Sequence, residues 1–201
     1  MTHPVAKLVL ASHNTKKLAE LQAILEPVGV ELLGLREFQG APIPEETGDT
    51  FEENARIKAL SAAAYTLLPA VADDSGLVVD ILDGAPGVRS ARFAGEDADD
   101  AENNALLLEK LGGLEPEKRK AGFISVVALA FPDGNVRTFR GETRGRILEA
   151  PMGGGGFGYD PLFLSDELGV SFAEADPEAK NRVSHRGKAL AGLIGYLETL
   201  G

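Results

Sequence analysis

The chain has 201 residues, a formal net charge of −11 at pH 7, no cysteine and three histidines, His3, His13 and His185. That length suits one large domain or two small lobes on a shared sheet, and the absent cysteines exclude disulfides, thiolate zinc sites and a cysteine nucleophile. The acidic charge argues against a nucleic-acid partner. No apolar run is long enough to span a bilayer and residues 1–7 lack a signal core, so a cytoplasmic protein with no membrane partner is expected.

Residues 8–11 read as a short buried strand. Ser12, His13, Asn14, Thr15, Lys16 and Lys17 follow, then an amphipathic helix with Leu18, Leu21 and Leu25 on one face. Gly29 ends it and residues 30–35 form the next strand, completing a β-α-β unit of an α/β sheet. Ligands of such units sit at the carboxyl ends of the strands, where the N–H groups and dipole of the helix favour phosphate. The hydroxyls of Ser12 and Thr15 and the ammonium of Lys17 add donors. The stretch is not a Walker A sequence, and a plain helix cap by Asn14 or Thr15 with surface lysines fits it too.

Residues 42–49 form a loop rich in proline, glycine and acid, with Glu45 and Glu46 side by side. Thr50 opens a helix, Glu53 completes a capping box, and Pro69 stops the helix at about Leu68. Ala55, Ala59, Ala62 and Ala63 allow close packing on a sheet; Lys58 among them is either solvated or functional. An apolar stretch, 67–72, then runs into Asp73, Asp74, Ser75 and Gly76, and a second apolar run covers 77–82. The expectation is strand, tight turn, strand. Adjacent carboxylates raise a pKa or recruit a cation, and hard oxygen ligands that leave water attached suit Mg²⁺. Turn chemistry alone would also account for Asp, Ser and Gly here.

Turns are expected at 83–84 and 86–87, a short ordered piece at 90–93, and an acidic segment at 96–102. A helix follows through Leu111 with Leu108 and Leu111 inward, then a charged connector at 115–120. Residues 123–131 read as a strand buried on both faces. A turn at 132–135 leads back into an alternating strand, 136–142, and 145–148 pairs next, giving an antiparallel section or second lobe. Residues 152–161 hold too many glycines for regular structure; a flexible linker is one reading. Phe157, Tyr159 and Asp160 supply another, since glycine lets backbone approach a ligand and an aromatic face stacks on a base. A strand at 162–164 follows. Lys180 precedes Ser184, which caps a last helix with Leu190, Leu193, Leu197 and Leu200 on one face. His185, Arg186 and Lys188 at that helix start oppose its dipole, so they mark either an anionic or polar ligand or a solvated basic turn.

Five blocks stand out: 12–17; Glu45-Glu46-Thr47-Gly48 with residues 50–55; Asp73-Asp74-Ser75-Gly76-Leu77; Gly156-Phe157-Gly158-Tyr159-Asp160-Pro161; and Ser184-His185-Arg186-Gly187. In order and spacing they resemble the Ham1-like, or inosine triphosphatase, family of purine nucleoside triphosphate pyrophosphatases, from Leu8 to about Leu190. The resemblance implies an elongated α/β fold of mixed sheet, two lobes and a central substrate cleft, with 1–201 as a single inosine triphosphatase-like domain. It implies Mg²⁺, a homodimer, and hydrolysis of ITP, dITP and XTP to the monophosphate and pyrophosphate. It implies Asp74 as general base and metal ligand, Glu45 as second metal carboxylate, and Ser75 as a substrate contact. Ser12, His13, Asn14, Thr15, Lys16 and Lys17 match the phosphate-side loop and Lys58 a triphosphate-binding lysine. Phe157, Gly158, Tyr159, Asp160, Lys180, His185 and Arg186 match the base pocket. His13 and Lys16 stand where many members carry glycine.

The same residues bear on two rival readings. A haloacid-dehalogenase-like phosphatase needs a nucleophilic Asp two residues before a second Asp, and Asp73 and Asp74 are adjacent. A nucleotide-binding regulatory module without turnover has no need of the carboxylates Glu45 and Asp74.

Overall fold

The computed structural model describes residues 5–12, 18, 21–22 and 25–200. β1 (Lys7–Leu10) buries Leu8, Val9 and Leu10 and runs parallel to β2 (Glu31–Gly34), with Lys7 opposite Glu31. Between them Leu18, Leu21, Gln22 and Leu25 are helical, and the three leucines share one core. This is the expected β-α-β unit, in which an apolar helix stripe covers the sheet it leaves.

α1 (Phe51–Thr66) starts where its capping box says it should: Thr50 Oγ1 accepts from Glu53 N at 3.2 Å and Glu53 Oε2 accepts from Thr50 N at 3.0 Å. Its alanines, Ala55, Ala59, Ala62 and Ala63, are buried, as close packing requires. Leu67 leaves the helix in the left-handed conformation, φ 56°, and Pro69 prevents its resumption. β3 (Ala70–Val79) then runs parallel to β1, Leu10 opposite Val71.

α2 (Asp100–Lys110) is capped by Asp99 and buries Leu107, with Leu111 just beyond its end. β4 (Lys120–Ala130) is buried from Ala121 onward, on both faces. Phe131 N donates to Asn135 O at 2.9 Å across the turn into β5 (Val136–Ile147). A connection that short permits only antiparallel neighbours. The strands expected at 136–142 and 145–148 are thus one twelve-residue strand. β6 (Phe163–Ser165) runs antiparallel to it, Ile147 opposite Phe163. The strand order is β2-β1-β3-β4-β5-β6, so the protein is α/β with a mixed sheet. α3 (Pro177–Val183) was not anticipated from the sequence; α4 (His185–Glu198) is opened by Ser184, whose Oγ accepts from Gly187 N at 3.0 Å.

The chain divides into two compact units. The first is Met1–Asp74, Val126–Arg140 and Ala189–Gly201; the second is Ser75–Ser125 and Gly141–Lys188. Leu8, Leu10, Leu25, Val127, Leu129 and Leu193 lie at the core of the first, and Leu77, Leu107, Leu111, Phe163 and Phe172 at the core of the second.

Arg119 anchors the second unit. It is 3% exposed and spends its guanidinium on three backbone carbonyls: Nε to Ile147 O at 2.7 Å, Nη1 to Leu111 O at 2.8 Å and Nη2 to Leu148 O at 2.6 Å. These close the end of α2 against the end of β5. Arg119→Met should lower the stability by about 3 kcal/mol or more, since each buried acceptor left without a donor costs about 1–3 kcal/mol. Urea unfolding checks this; a midpoint within the error of wild type would show that the carbonyls find other donors.

Candidate active site

The carboxylates that sequence reading placed in a tight turn lie in an unbroken strand: β3 runs through Asp73, Asp74, Ser75 and Gly76 to Val79. The strand continues because a distant residue, Ser90, supports it. Ser90 Oγ accepts from Leu77 N at 2.9 Å and donates to Gly87 O at 2.6 Å, and it packs directly on Gly76. A Cβ at Gly76 would lie 2.3 Å from that oxygen. The glycine therefore serves a close approach rather than a turn. In a strand, successive side chains leave on opposite faces, so Asp73 and Asp74 point apart, and Ser75 points away from Asp74.

Asp74 meets two residues of α1 one turn apart, an i, i+4 pair on one helix face. Asn54 Nδ2 donates to Asp74 Oδ2 at 3.3 Å, and Lys58 Nζ donates to Asp74 Oδ1 at 3.2 Å. Lys58 also donates to Glu46 Oε1 at 2.7 Å. Asn54 is 1% exposed and its Oδ1 accepts from Gly48 N at 2.8 Å, which ties the loop bearing both glutamates to the helix. Glu45, the carboxylate singled out from the sequence, is exposed, and its carbonyl accepts from Thr47 N at 3.1 Å. Glu46 and Asn54 are site residues that sequence reading did not select. The spacing of Asn54 from Lys58 was the available signal.

Charge in this cluster is unbalanced. Burial works against the Lys58 ammonium, but Asp74, Glu46 and Asp73 outweigh it and hold its pKa above 10.5. Burial pushes the Asp74 carboxyl above its ordinary 3.8; Glu46 adds to the rise, and Lys58 and Asn54 only partly oppose it. A second cation would relieve that excess. Among the described residues no group of three or more His, Asp or Glu is arranged to hold a metal ion. The donors present are hard carboxylate oxygens, which fit an ion that takes one or two carboxylates and fills its remaining positions with water and phosphate oxygen, as Mg²⁺ does.

The second unit gathers the other group of candidates. Asp160, 3% exposed, accepts from Phe157 N at 2.9 Å and from Lys180 Nζ at 2.5 Å. Lys180, on α3, lies 5.5 Å from the Phe157 ring centroid and 5.2 Å from that of Phe172. Arg186 lies 5.8 Å from the Phe157 ring, and His185 stacks on Phe123 at 4.8 Å. The lysine and arginine distances are cation–π distances. Phe157 is 64% exposed. Tyr159 instead packs in the core and its hydroxyl donates to Ser90 O at 2.9 Å; burial, aided by Asp100, raises its pKa and keeps it a donor. Phe157, Asp160, Lys180, His185 and Arg186 are thus brought together, with a flat apolar face under cationic donors. Ser12 lies just past the end of β1, its N–H on Leu10 O at 2.8 Å, and His13, Asn14, Thr15, Lys16 and Lys17 lie outside the described residues. Among the described residues no helix is long and apolar enough to cross a membrane.

Fold and site together define an α/β protein with a carboxylate–lysine cluster on a central strand and an aromatic–cation cluster around Phe157. The chain belongs to the Ham1 family, whose model matches residues 8–196. It is 54% identical over 193 residues to a dITP/XTP pyrophosphatase of Geobacter sulfurreducens, covering 96% of this chain and 97% of that one. It is 51% identical over 199 residues to a dITP/XTP pyrophosphatase of Nocardia farcinica, covering 98% and 97%. The solved structure of a HAM1 protein from Coxiella burnetii matches with a TM-score of 0.91 at 44% identity, covering 96% of this chain and 98% of that one.

The electrostatics make a specific prediction. Lys58 holds the Asp74 pKa down against burial and Glu46, so Lys58→Met should raise the Asp74 titration midpoint further. Carboxyl ¹³C NMR of metal-free protein measures it. An unchanged or lowered midpoint would remove Lys58 as a charge that opposes the rise in the Asp74 pKa.

Proposed function

We propose that this protein is a nucleoside triphosphate pyrophosphohydrolase. It converts dITP, ITP and XTP and water to the monophosphate and pyrophosphate, clearing non-standard purines from the nucleotide pool. The observation that carries the reading is the convergence of Asn54 and Lys58 on Asp74, a half-buried carboxylate with raised proton affinity. The names of relatives at about half identity over nearly the whole chain support it. We treat 1–201 as one functional domain, acting in the cytoplasm as a homodimer.

In this reading Asp74 takes the proton of the attacking water, a role that suits a carboxylate whose proton affinity burial has raised. Asn54 and Lys58 fix the carboxylate's direction. Asp74 and Glu45, with Glu46 alongside, would hold Mg²⁺, which supplies charge neutralisation and Lewis acidity at the phosphates. Ser75 contacts the substrate. Ser12, His13, Asn14, Thr15, Lys16, Lys17 and Lys58 serve the triphosphate, a polyanion that an acidic protein binds only with cations. Phe157 stacks the base; Gly158, Asp160 and Lys180 form its pocket, with Tyr159 supporting the loop from the core, and His185 and Arg186 donate to the 6-oxo group. Adenine presents an amine to those donors, and unpaired polar groups reject a wrong ligand strongly.

Pyrophosphate release from dITP, XTP and dATP tests the reading. Asp74→Asn should lower kcat by about two orders of magnitude or more while the circular dichroism stays that of wild type. A folded variant with near-normal rate would sink the assignment of the base. Chelation of Mg²⁺ should abolish turnover and added Mg²⁺ restore it. Full activity in excess chelator would remove the metal. Arg186→Ala should weaken dITP more than dATP, by about 10–150-fold for a charged donor; equal losses for both would place Arg186 on the phosphate side.

A further inference from the structure

α2 turns two side chains, Asp100 and Asn104, onto the backbone of one residue of the aromatic loop. Asp100 Oδ2 accepts from Gly158 N at 2.7 Å, and Asn104 Nδ2 donates to Gly158 O at 2.9 Å. The two are an i, i+4 pair on one helix face. Gly158 has φ 58°, in the left-handed region, and nothing lies within 4 Å of where its Cβ would be. Conformation, not crowding, is what asks for glycine there. With both its N–H and its C=O held, neither flanking peptide can rotate without breaking a bond. Asp160 holds the N–H of Phe157 and Ser90 holds the Tyr159 hydroxyl. The backbone from Phe157 to Asp160 is therefore fixed at successive points while the Phe157 ring stays exposed.

Asn104 leaves half of its amide unsatisfied to make the bond to Gly158. Its Oδ1 is buried and has no hydrogen-bond partner among the described residues. A buried acceptor left unpaired weakens a fold, and an apolar side chain of similar volume would avoid that loss. What such a side chain cannot do is donate to Gly158 O.

We infer that Asp100 and Asn104 are positioning residues for base recognition. They act through Gly158, setting the direction in which the Phe157 ring meets the purine beside Lys180 and Arg186. This rests on the reading of the aromatic–cation pocket as the base site.

The test compares Asn104→Leu, Asp100→Ala and Asp100→Asn with wild type in kcat and KM for dITP and dATP, in inhibition by inorganic triphosphate, and in Tm. Asn104→Leu and Asp100→Ala should each raise KM for dITP by about 2–10-fold, the factor for one lost hydrogen bond. Asn104→Leu should leave kcat near that of wild type and the Tm within a few degrees of it, since the unpaired Oδ1 is removed together with the bond to Gly158 O, and inhibition by triphosphate should not move in either variant. Asp100→Asn keeps an acceptor oxygen and should restore KM. Unchanged KM in both variants overturns the inference. So does a joint worsening of KM, kcat, triphosphate inhibition and Tm, which marks a plain structural role. Wild-type protein inactive on every purine triphosphate would instead overturn the proposed function, and the base-recognition role with it.

Discussion

Lys58 carries one positive charge among three carboxylates, and the first unit's site follows from that imbalance. Its ammonium holds Glu46 of the loop and Asp74 of β3 to the same helix face. Buried alone, a lysine would shed its proton; here the surrounding carboxylates reverse that tendency. The carboxylates gain less in return. Asp74 shares its cation with Glu46, so burial still dominates and its proton affinity stays raised. Under the proposed function, that shortage of positive charge is a physical reason for the site to take a cation and a polyanion together rather than the polyanion alone.

The second unit repeats the device with different surroundings. Lys180 reaches the carboxylate of Asp160, and the aromatic rings of Phe157 and Phe172 complete the lysine's environment. Removing two charges from water offsets most of what their attraction supplies. Pairs of this kind are weak arguments for stability and stronger ones for position. Asp160 shows why: the oxygen that takes Lys180 also takes the Phe157 N–H, so the charge and the ring come with one geometry.

Local signals were legible in the sequence. The leucines at 18, 21 and 25, the Thr50–Glu53 box, the apolar run of β4 and the Ser184 cap each predict an element from neighbouring residues, and each is present. What was misread depended on residues far along the chain. Asp-Asp-Ser-Gly has turn composition, yet Ser90, thirteen residues beyond Leu77, holds that stretch as strand. α3 was missed although Asp176 caps it and Pro177 starts it, because seven residues carry too little periodicity to read. The five sequence blocks indicated the family. They did not indicate that Glu46 rather than Glu45 reaches Lys58, nor that Asn54 binds strand and loop at once, since both facts depend on how the loop returns to the helix.

The glycines inside those blocks have a use that composition hides. A Cβ at Gly48 would lie 2.6 Å from Glu53 Cβ, at Gly76 2.3 Å from Ser90 Oγ, and at Gly156 2.2 Å from Asp160 Oδ2. Two of these contacts bring a carboxylate-bearing segment against its support, and the third keeps β3 straight past Asp74. Real Cβ atoms do not approach so closely, so any side chain at these positions moves the segment by a substantial part of an ångström. Displacements of that size are enough to spoil a reacting geometry. Substitution at Gly48, Gly76 or Gly156 therefore acts on Asp74 or on the Phe157 loop through the backbone.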